Sequence, residues 1–506
     1  MKEVDGTTVR TDEVEALAVD GLRWLVGAAR ETADGGLVWP SAPSEKEPDP
    51  CLYDGTAGIV TVLLEAWRHF GDDSWADLAL RAGRGLESAV DGLDDNSLYF
   101  GRAGVALMLH TLHGELGDTA CGAAADRAMA LVRAGFDGER WGELFELMGG
   151  NGGIGLTALA LGDPEFAVLA VEPYLRAAER TEWGVTWPHR PGTEARMHHM
   201  SHGTLGIAYA LARIGYATGR ADLVESALAG VADVVARDQD GPDGFLVRHS
   251  TPQFLPDLIE PISYGWCHGP AGDAQIFRLL RDSDRDTGRG TGSDTGRGTG
   301  RDTGRGTGRD TGRGTGRDTG RGTGRDTGRV TGSETGREAA RDTERGSDGG
   351  SDGGSDGDPA WDALADRCWH TVTHSGLPRR LRPGFWDNQG RCCGTASVLA
   401  LASDRIAEGR RAEDFAQVLV ADLAARAVRD GDGARWSNVE HRSTPSELEP
   451  RTGWAQGSAG IVRELLRFVR LSRGGEPGYA FAWPDQPPVS AQATDPIRRG
   501  ASAVTS

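Results

Sequence analysis

A glycine turn of the form Gly-x-x-Gly, each followed by an apolar run, recurs along this chain and limits what it can fold into. The copies begin at Gly55, Gly101, Gly150, Gly203, Gly269, Gly394 and Gly457, the sixth ending on Ser397 in place of the second glycine. The first glycines are 46, 49, 53, 66, 125 and 63 residues apart. The 125-residue interval contains a 77-residue low-complexity segment, and without it 48 residues remain. Seven units of about 50 residues therefore tile the chain, and self-similarity at a steady period is the mark of a repeat architecture.

Each turn opens a nearly all-apolar helix, such as Ile59–Leu64 or Ile207–Leu211. Between the turns lie amphipathic stretches with apolar residues at helical intervals, among them Leu223, Leu228, Val231, Val234 and Val235. The spacing predicts helices over Thr11–Ala29, Ser74–Leu93, Asp222–Arg237, Asp358–His374 and Asp414–Arg429, with Thr11 as N-cap of the first. The glycines suit tight turns and close backbone approach. Seven hairpins, each with one buried and one half-exposed helix, leave two open edges unless the array closes on itself. An α/α toroid of seven helical hairpins is the expected fold, with an open α-solenoid as the alternative.

The segment 282–358 repeats Asp-Thr-Gly-Arg and Gly-Thr-Gly-Arg and has almost no apolar residues to offset its ordering entropy, so a disordered surface loop is expected. Residues 1–281 then carry units one to five, 359–483 units six and seven, and 484–506 a loose tail rich in Pro, Ala and Ser. The formal net charge of -20 lies almost wholly outside the insert, which holds 14 Arg against 16 acidic residues. Such a surface disfavours phosphate-tracking nucleic-acid binding and adsorption to an anionic membrane. No run approaches a membrane span, and the start lacks the apolar core of a secretory signal, so a cytoplasmic, reducing setting is expected.

In that setting the six cysteines read as core residues or metal ligands rather than disulfides. Cys267 lies two residues before the turn glycine of unit five. Cys392 and Cys393 lie two and one before that of unit six. Neighbouring units of a ring place equivalent positions side by side, so three thiolates can meet at one mouth, as zinc sites with an open fourth position require. The competing reading is three small buried apolar residues. His202 and His268 each stand one residue before a turn glycine and would face the same mouth, suited to proton transfer near neutrality or to capping a buried turn. Glu146, ahead of the third turn, is a further mouth candidate; a lone carboxylate there is usually solvated. His198 and His199 read as solvated loop residues. Arg248–Pro252 and His441–Pro445 echo each other ahead of Gly265-Trp266 and Gly453-Trp454. They read as structural loops, with the tryptophans packing at the ring edge.

Together these residues resemble the lanthionine synthetase C-like family, most specifically at Gly265-Trp266-Cys267-His268-Gly269 and Cys392-Cys393-Gly394. The resemblance implies an α/α toroid with Zn2+ at its mouth and a cyclase that adds a peptide cysteine thiol across dehydroalanine or dehydrobutyrine. It implies Cys267, Cys392 and Cys393 as metal ligands, the last in the place where the family commonly has histidine. It implies His202 as the catalytic histidine and Glu146 as the match to an acidic residue ahead of the third turn. Two positions differ: Ser263 stands where cyclases often have arginine, and His268 where they often have tyrosine. The implied partners are a dehydrated precursor peptide and a separate dehydratase. Other readings are a zinc-stabilised peptide-binding scaffold without catalysis, addition of glutathione as the thiol, and a glycosidase, which needs two carboxylates at the mouth.

Overall fold

The computed structural model describes residues 9–287, 359–481 and 483–486. Among them are fourteen α-helices: α1 (Thr11–Gly27), α2 (Thr56–Phe70), α3 (Asp73–Ala89), α4 (Arg102–Leu116), α5 (Thr119–Ala134), α6 (Asn151–Ala160), α7 (Pro164–Ala177), α8 (Thr204–Thr218), α9 (Ala221–Val235), α10 (Pro270–Thr287), α11 (Pro359–His374), α12 (Thr395–Ala407), α13 (Glu413–Arg426) and α14 (Ser458–Ser472). The even-numbered helices each follow a glycine turn and are buried along most of their length, as the apolar runs predict. The others pack against them from outside with one face in water. Strand structure among the described residues is limited to four short two-stranded antiparallel pairs and two isolated bridges.

Closure is visible in the backbone. The N–H of the residue two before each turn glycine donates to the carbonyl of the equivalent residue in the next unit. The bonds run Tyr53 to Tyr99 (2.9 Å), Tyr99 to Met148 (3.1 Å), Met148 to Ser201 (3.4 Å), Ser201 to Cys267 (3.2 Å), Cys267 to Cys392 (3.1 Å), Cys392 to Ala455 (2.8 Å) and Ala455 back to Tyr53 (2.8 Å). This closed circuit selects the toroid over the open solenoid. The first helix completes it from outside: α14 has no following outer helix among the described residues, and α1 packs against it in that role.

No turn glycine has a positive φ, so close approach rather than left-handed backbone explains these glycines. A Cβ on Gly269 would overlap the Ser263 carbonyl oxygen, and one on Gly272 the Trp266 carbonyl oxygen, each six residues earlier. The N-cap of the third helix is Asp72, which accepts from Ser74 N at 3.0 Å, and α1 begins after Arg10 rather than Thr11.

Three expectations need correction. The predicted insert begins too early, since residues 282–287 continue α10. Asp282 accepts from Arg281 (2.8 Å) and Asp284 from the Trp361 indole (3.0 Å), tying that turn to its surroundings. The remainder of the predicted loop, 288–358, lies outside the described residues. The tail is packed at its start: Trp483, Asp485 and Gln486 are buried, while 487–506 lie outside the described residues. The reason is α14, whose inward face carries Arg463, Arg467 and Arg470. Arg467 and Arg470 donate to the carbonyls of Pro477 (3.0 Å) and Gly478 (2.9 Å), and Arg463 to that of Phe481. Tyr479 donates to Glu464 at 2.8 Å, and Asp485 accepts from the Tyr99 hydroxyl. Finally, Trp266 and Trp454 are not at the ring edge. Both are fully buried, their ring centroids 6.1 Å apart and each within 6 Å of Tyr99, and Trp454 also stacks edge-on with Trp483 at 4.8 Å.

Gly272→Ala should destabilise the protein by about 2–4 kcal/mol through this overlap. Gly114→Ala, in the exposed last turn of α4 with open space around it, should stabilise it by about 0.5–1 kcal/mol. Urea unfolding of both variants checks the contrast.

Candidate functional site

The peptide ring sets which side chains reach the mouth. In all seven units the residue three before the turn glycine is buried and the residue just before it is partly exposed. The partly exposed set includes Asp54, His202, His268 and Cys393.

Cys267, Cys392 and Cys393 come together as expected: their sulfurs all lie within 4.8 Å of one another. Cys267 and Cys392 are buried and Cys393 is partly exposed. Four thiolate sulfurs about 2.3 Å from a tetrahedral centre stand roughly 3.8 Å apart, so this cluster can hold a metal ion, with the Cys393 side toward solvent. The Tyr53 hydroxyl donates to Cys392 Sγ at 3.4 Å. Hydrogen bonds from the Cys267 and Cys392 thiols hold Cys393 well below the usual thiol range, so the cluster already favours one thiolate. All six cysteines are free.

Glu146 is not solvated. It is fully buried, accepts from the backbone N–H groups of Met148 and Gly149 (3.0 Å to the latter), and accepts from His202 Nδ1 at 3.0 Å. Burial opposes a charge on His202, but the Glu146 carboxylate outweighs it and, with the Cys392 sulfur, raises the imidazole above its ordinary value of 6.5. His268 is different. Burial, with His249 and His202 nearby, holds it well below that value. It therefore stays neutral near pH 7, with Nε2 3.2 Å from the Ser201 hydroxyl. The surroundings thus separate the two candidates, favouring the imidazolium form at His202 and disfavouring it at His268.

His198 and His199, expected in solvent, are buried. His198 N donates to the His249 carbonyl (3.3 Å) beside the paired strands Arg196–Met197 and Ser250–Thr251, so the first of the two echoing loops is part of the site wall. His199 Nδ1 lies 2.8 Å from buried Asp273. His249 packs 4.3 Å from the His268 ring and is pushed down to about 3 by burial. His189, likewise buried, falls to about 4. Sequence reasoning missed this imidazole cluster. The available signal was Asp273, which stands four residues after a turn glycine where the other six units have Ile or Val. Asp54, with Glu146 one of the turn-adjacent carboxylates a glycosidase reading would need, sits beside Tyr53 and is pushed up to about 6 by burial, although Arg451 pairs with it at 3.0 Å.

Residues 47–272 match the family model described as lanthionine synthetase C-like protein. Over that stretch the chain is similar to the lanthionine synthetase C-like family. The matched stretch holds Glu146, His202 and Cys267, while Cys392 and Cys393 lie beyond it and join the site through the ring. Among solved structures the chain is similar to nisin cyclase, at 14% identity and a TM-score of 0.52 over 87% of this chain and 92% of that one, a likeness of fold. An inactive variant of an alpha-1,6-mannanase from Salegentibacter sp., with alpha-1,6-mannotetrose, matches at 15% identity over 55% of this chain and 85% of that one. Its TM-score of 0.34 carries no argument. No curated protein matches the sequence. Among the described residues no helix is long and apolar enough to cross a membrane.

Glu146→Gln removes the charge that raises the His202 pKa, and burial should then take it below 6.5, as read by NMR titration of the imidazole. A raised folded-state value also stabilises the fold below about pH 6.5, a contribution lost as pH rises through that value. Unfolding measured from pH 5.5 to 8.5 should lose this slope in the variant.

Proposed function

We propose that the protein is a zinc-dependent lanthionine-forming cyclase, adding a cysteine thiol of a dehydrated precursor peptide across dehydroalanine or dehydrobutyrine. The observation that carries this reading is the meeting of three sulfurs with the Glu146–His202 pair on one face of the ring. The match to the lanthionine synthetase C-like family model and the fold shared with nisin cyclase support it.

Zn2+ held by Cys267, Cys392 and Cys393 would supply a Lewis acid that keeps the peptide thiol deprotonated at neutral pH. The protein's own groups do the rest. Glu146 fixes the His202 ring through Nδ1, leaving Nε2 as the proton-donating atom toward the α-carbon of the adduct. Neutral His268, bonded to Ser201, shapes the wall beside it. Residues 477–481 and 483–486 pack behind the ring, so the peptide approaches from the partly exposed side, where Cys393 and His202 lie. The addition needs a carbon–carbon double bond that unmodified serine and threonine lack, so a dehydratase must act first.

Cys393→Ala should lose most bound zinc, measured by metal analysis, and with it cyclisation of a dehydrated peptide followed by loss of free thiol at constant mass. His202→Ala should keep its zinc and cyclise at least about 100-fold more slowly. Full zinc content with no thioether formed by the unaltered protein would instead mark a peptide-binding scaffold.

A further inference from the structure

The addition places negative charge on an oxygen, and the groups described so far leave that oxygen without a partner. Once sulfur bonds to the β-carbon, the double-bond electron pair moves toward the α-carbon and the carbonyl pair onto the amide oxygen. His202 delivers its proton to carbon, so a second donor has to meet the oxygen. Such donors act strongly where water is excluded and where they are fixed in advance.

We propose that Arg190 is the oxyanion-stabilising residue, its guanidinium donating to the amide oxygen of the dehydro residue as the sulfur–carbon bond forms. This assignment rests on the cyclase reading. Arg190 lies in the loop after the strand Val185–Thr186, and that loop is pinned on three sides. The buried Trp187 indole donates to the Tyr174 carbonyl at 2.8 Å. The His189 carbonyl accepts from Phe145 N at 2.7 Å, one residue before Glu146. The His189 ring meets Phe254 edge-on at 5.2 Å. The loop is therefore built against the segment that carries the Glu146–His202 pair. The Arg190 charge is close enough to oppose protonation of both His202 and His189.

Its lack of partners matters most. Arg190 Nε is buried and makes no hydrogen bond, and no carboxylate among the described residues pairs with Arg190. A cation left unpaired beside a site, in a chain of net charge -20, is available to an incoming oxygen. Arg451, the guanidinium on the other flank, is already held by Asp54 at 3.0 Å.

The step balances. The peptide thiol gives up its proton, its sulfur pair forms the bond to the β-carbon, and the displaced pair rests on the oxygen held by Arg190. That pair then returns to the α-carbon as His202 delivers its proton, and the proton lost by the thiol restores His202. The net change is addition of S–H across C=C, with nothing oxidised or reduced.

Steady-state cyclisation of a dehydrated peptide with a single cysteine tests the assignment. Arg190→Gln should lower kcat about 100-fold, with KM and zinc content within about two-fold of the unaltered enzyme. Arg190→Ala should regain activity on adding millimolar guanidinium, which fills the site without restoring the loop. A wild-type kcat in Arg190→Gln overturns the assignment alone. So does a change confined to KM, or an Arg190→Ala enzyme that guanidinium does not rescue. Failure of the unaltered protein to form any thioether overturns the cyclase reading and the role of Arg190 with it.

Discussion

Seven peptide hydrogen bonds joined end to end hold this molecule in register. Each contributes only about 1 kcal/mol, so the importance of the circuit is geometric. It occupies the backbone of the residue two before each turn glycine, between a buried residue on one side and a partly exposed residue on the other. The last bond joins Ala455 to Tyr53, and this contact between distant parts of the chain turns a row of hairpins into a ring. The glycines protect it. A side chain at Gly269 or Gly272 would push into the segment that bears Cys267.

Register and chemistry are coupled through that circuit. Inward-facing Trp266 and Trp454 fill the interior with Tyr99 and Trp483. Outward-facing His202, His268 and Cys393 share the opposite side. Cys267 and Cys392 belong to the circuit itself, bonded backbone to backbone at 3.1 Å, which sets the two thiols side by side whether or not a metal is bound. The site is thus rigid at its sulfur end. At its proton-transfer end it is tuned by burial, since the same low-polarity surroundings that keep His268 and His249 neutral make the buried Glu146 carboxylate effective on His202.

Much of this was legible in the residues. Period and turn position were enough to align Cys267 with Cys392 and Cys393, and His202 with His268, because equivalent positions in a ring must be neighbours. Glu146 was legible as a candidate but not as a partner of His202, since the bond joins units three and four at positions that are not equivalent. His198 and His199 were misread because polarity suggests solvent. Their burial follows from a strand pairing between residues more than fifty apart. The arginines of α14 look like a solvated face in sequence; they are buried because the tail supplies carbonyl oxygens to them.

The sequence by itself determined the number of units, the buried and exposed helix of each, the glycine turns and the three cysteines that can meet. These depend on local periodicity and on sterics within a few residues. Tertiary structure alone decided that the ring closes through α1 and α14, that residues 477–481 and 483–486 pack behind it, and that the charged imidazole is favoured at His202 rather than His268. Each of these turns on which distant groups share a low-dielectric space, and burial and charge there come from neighbours that no local pattern specifies.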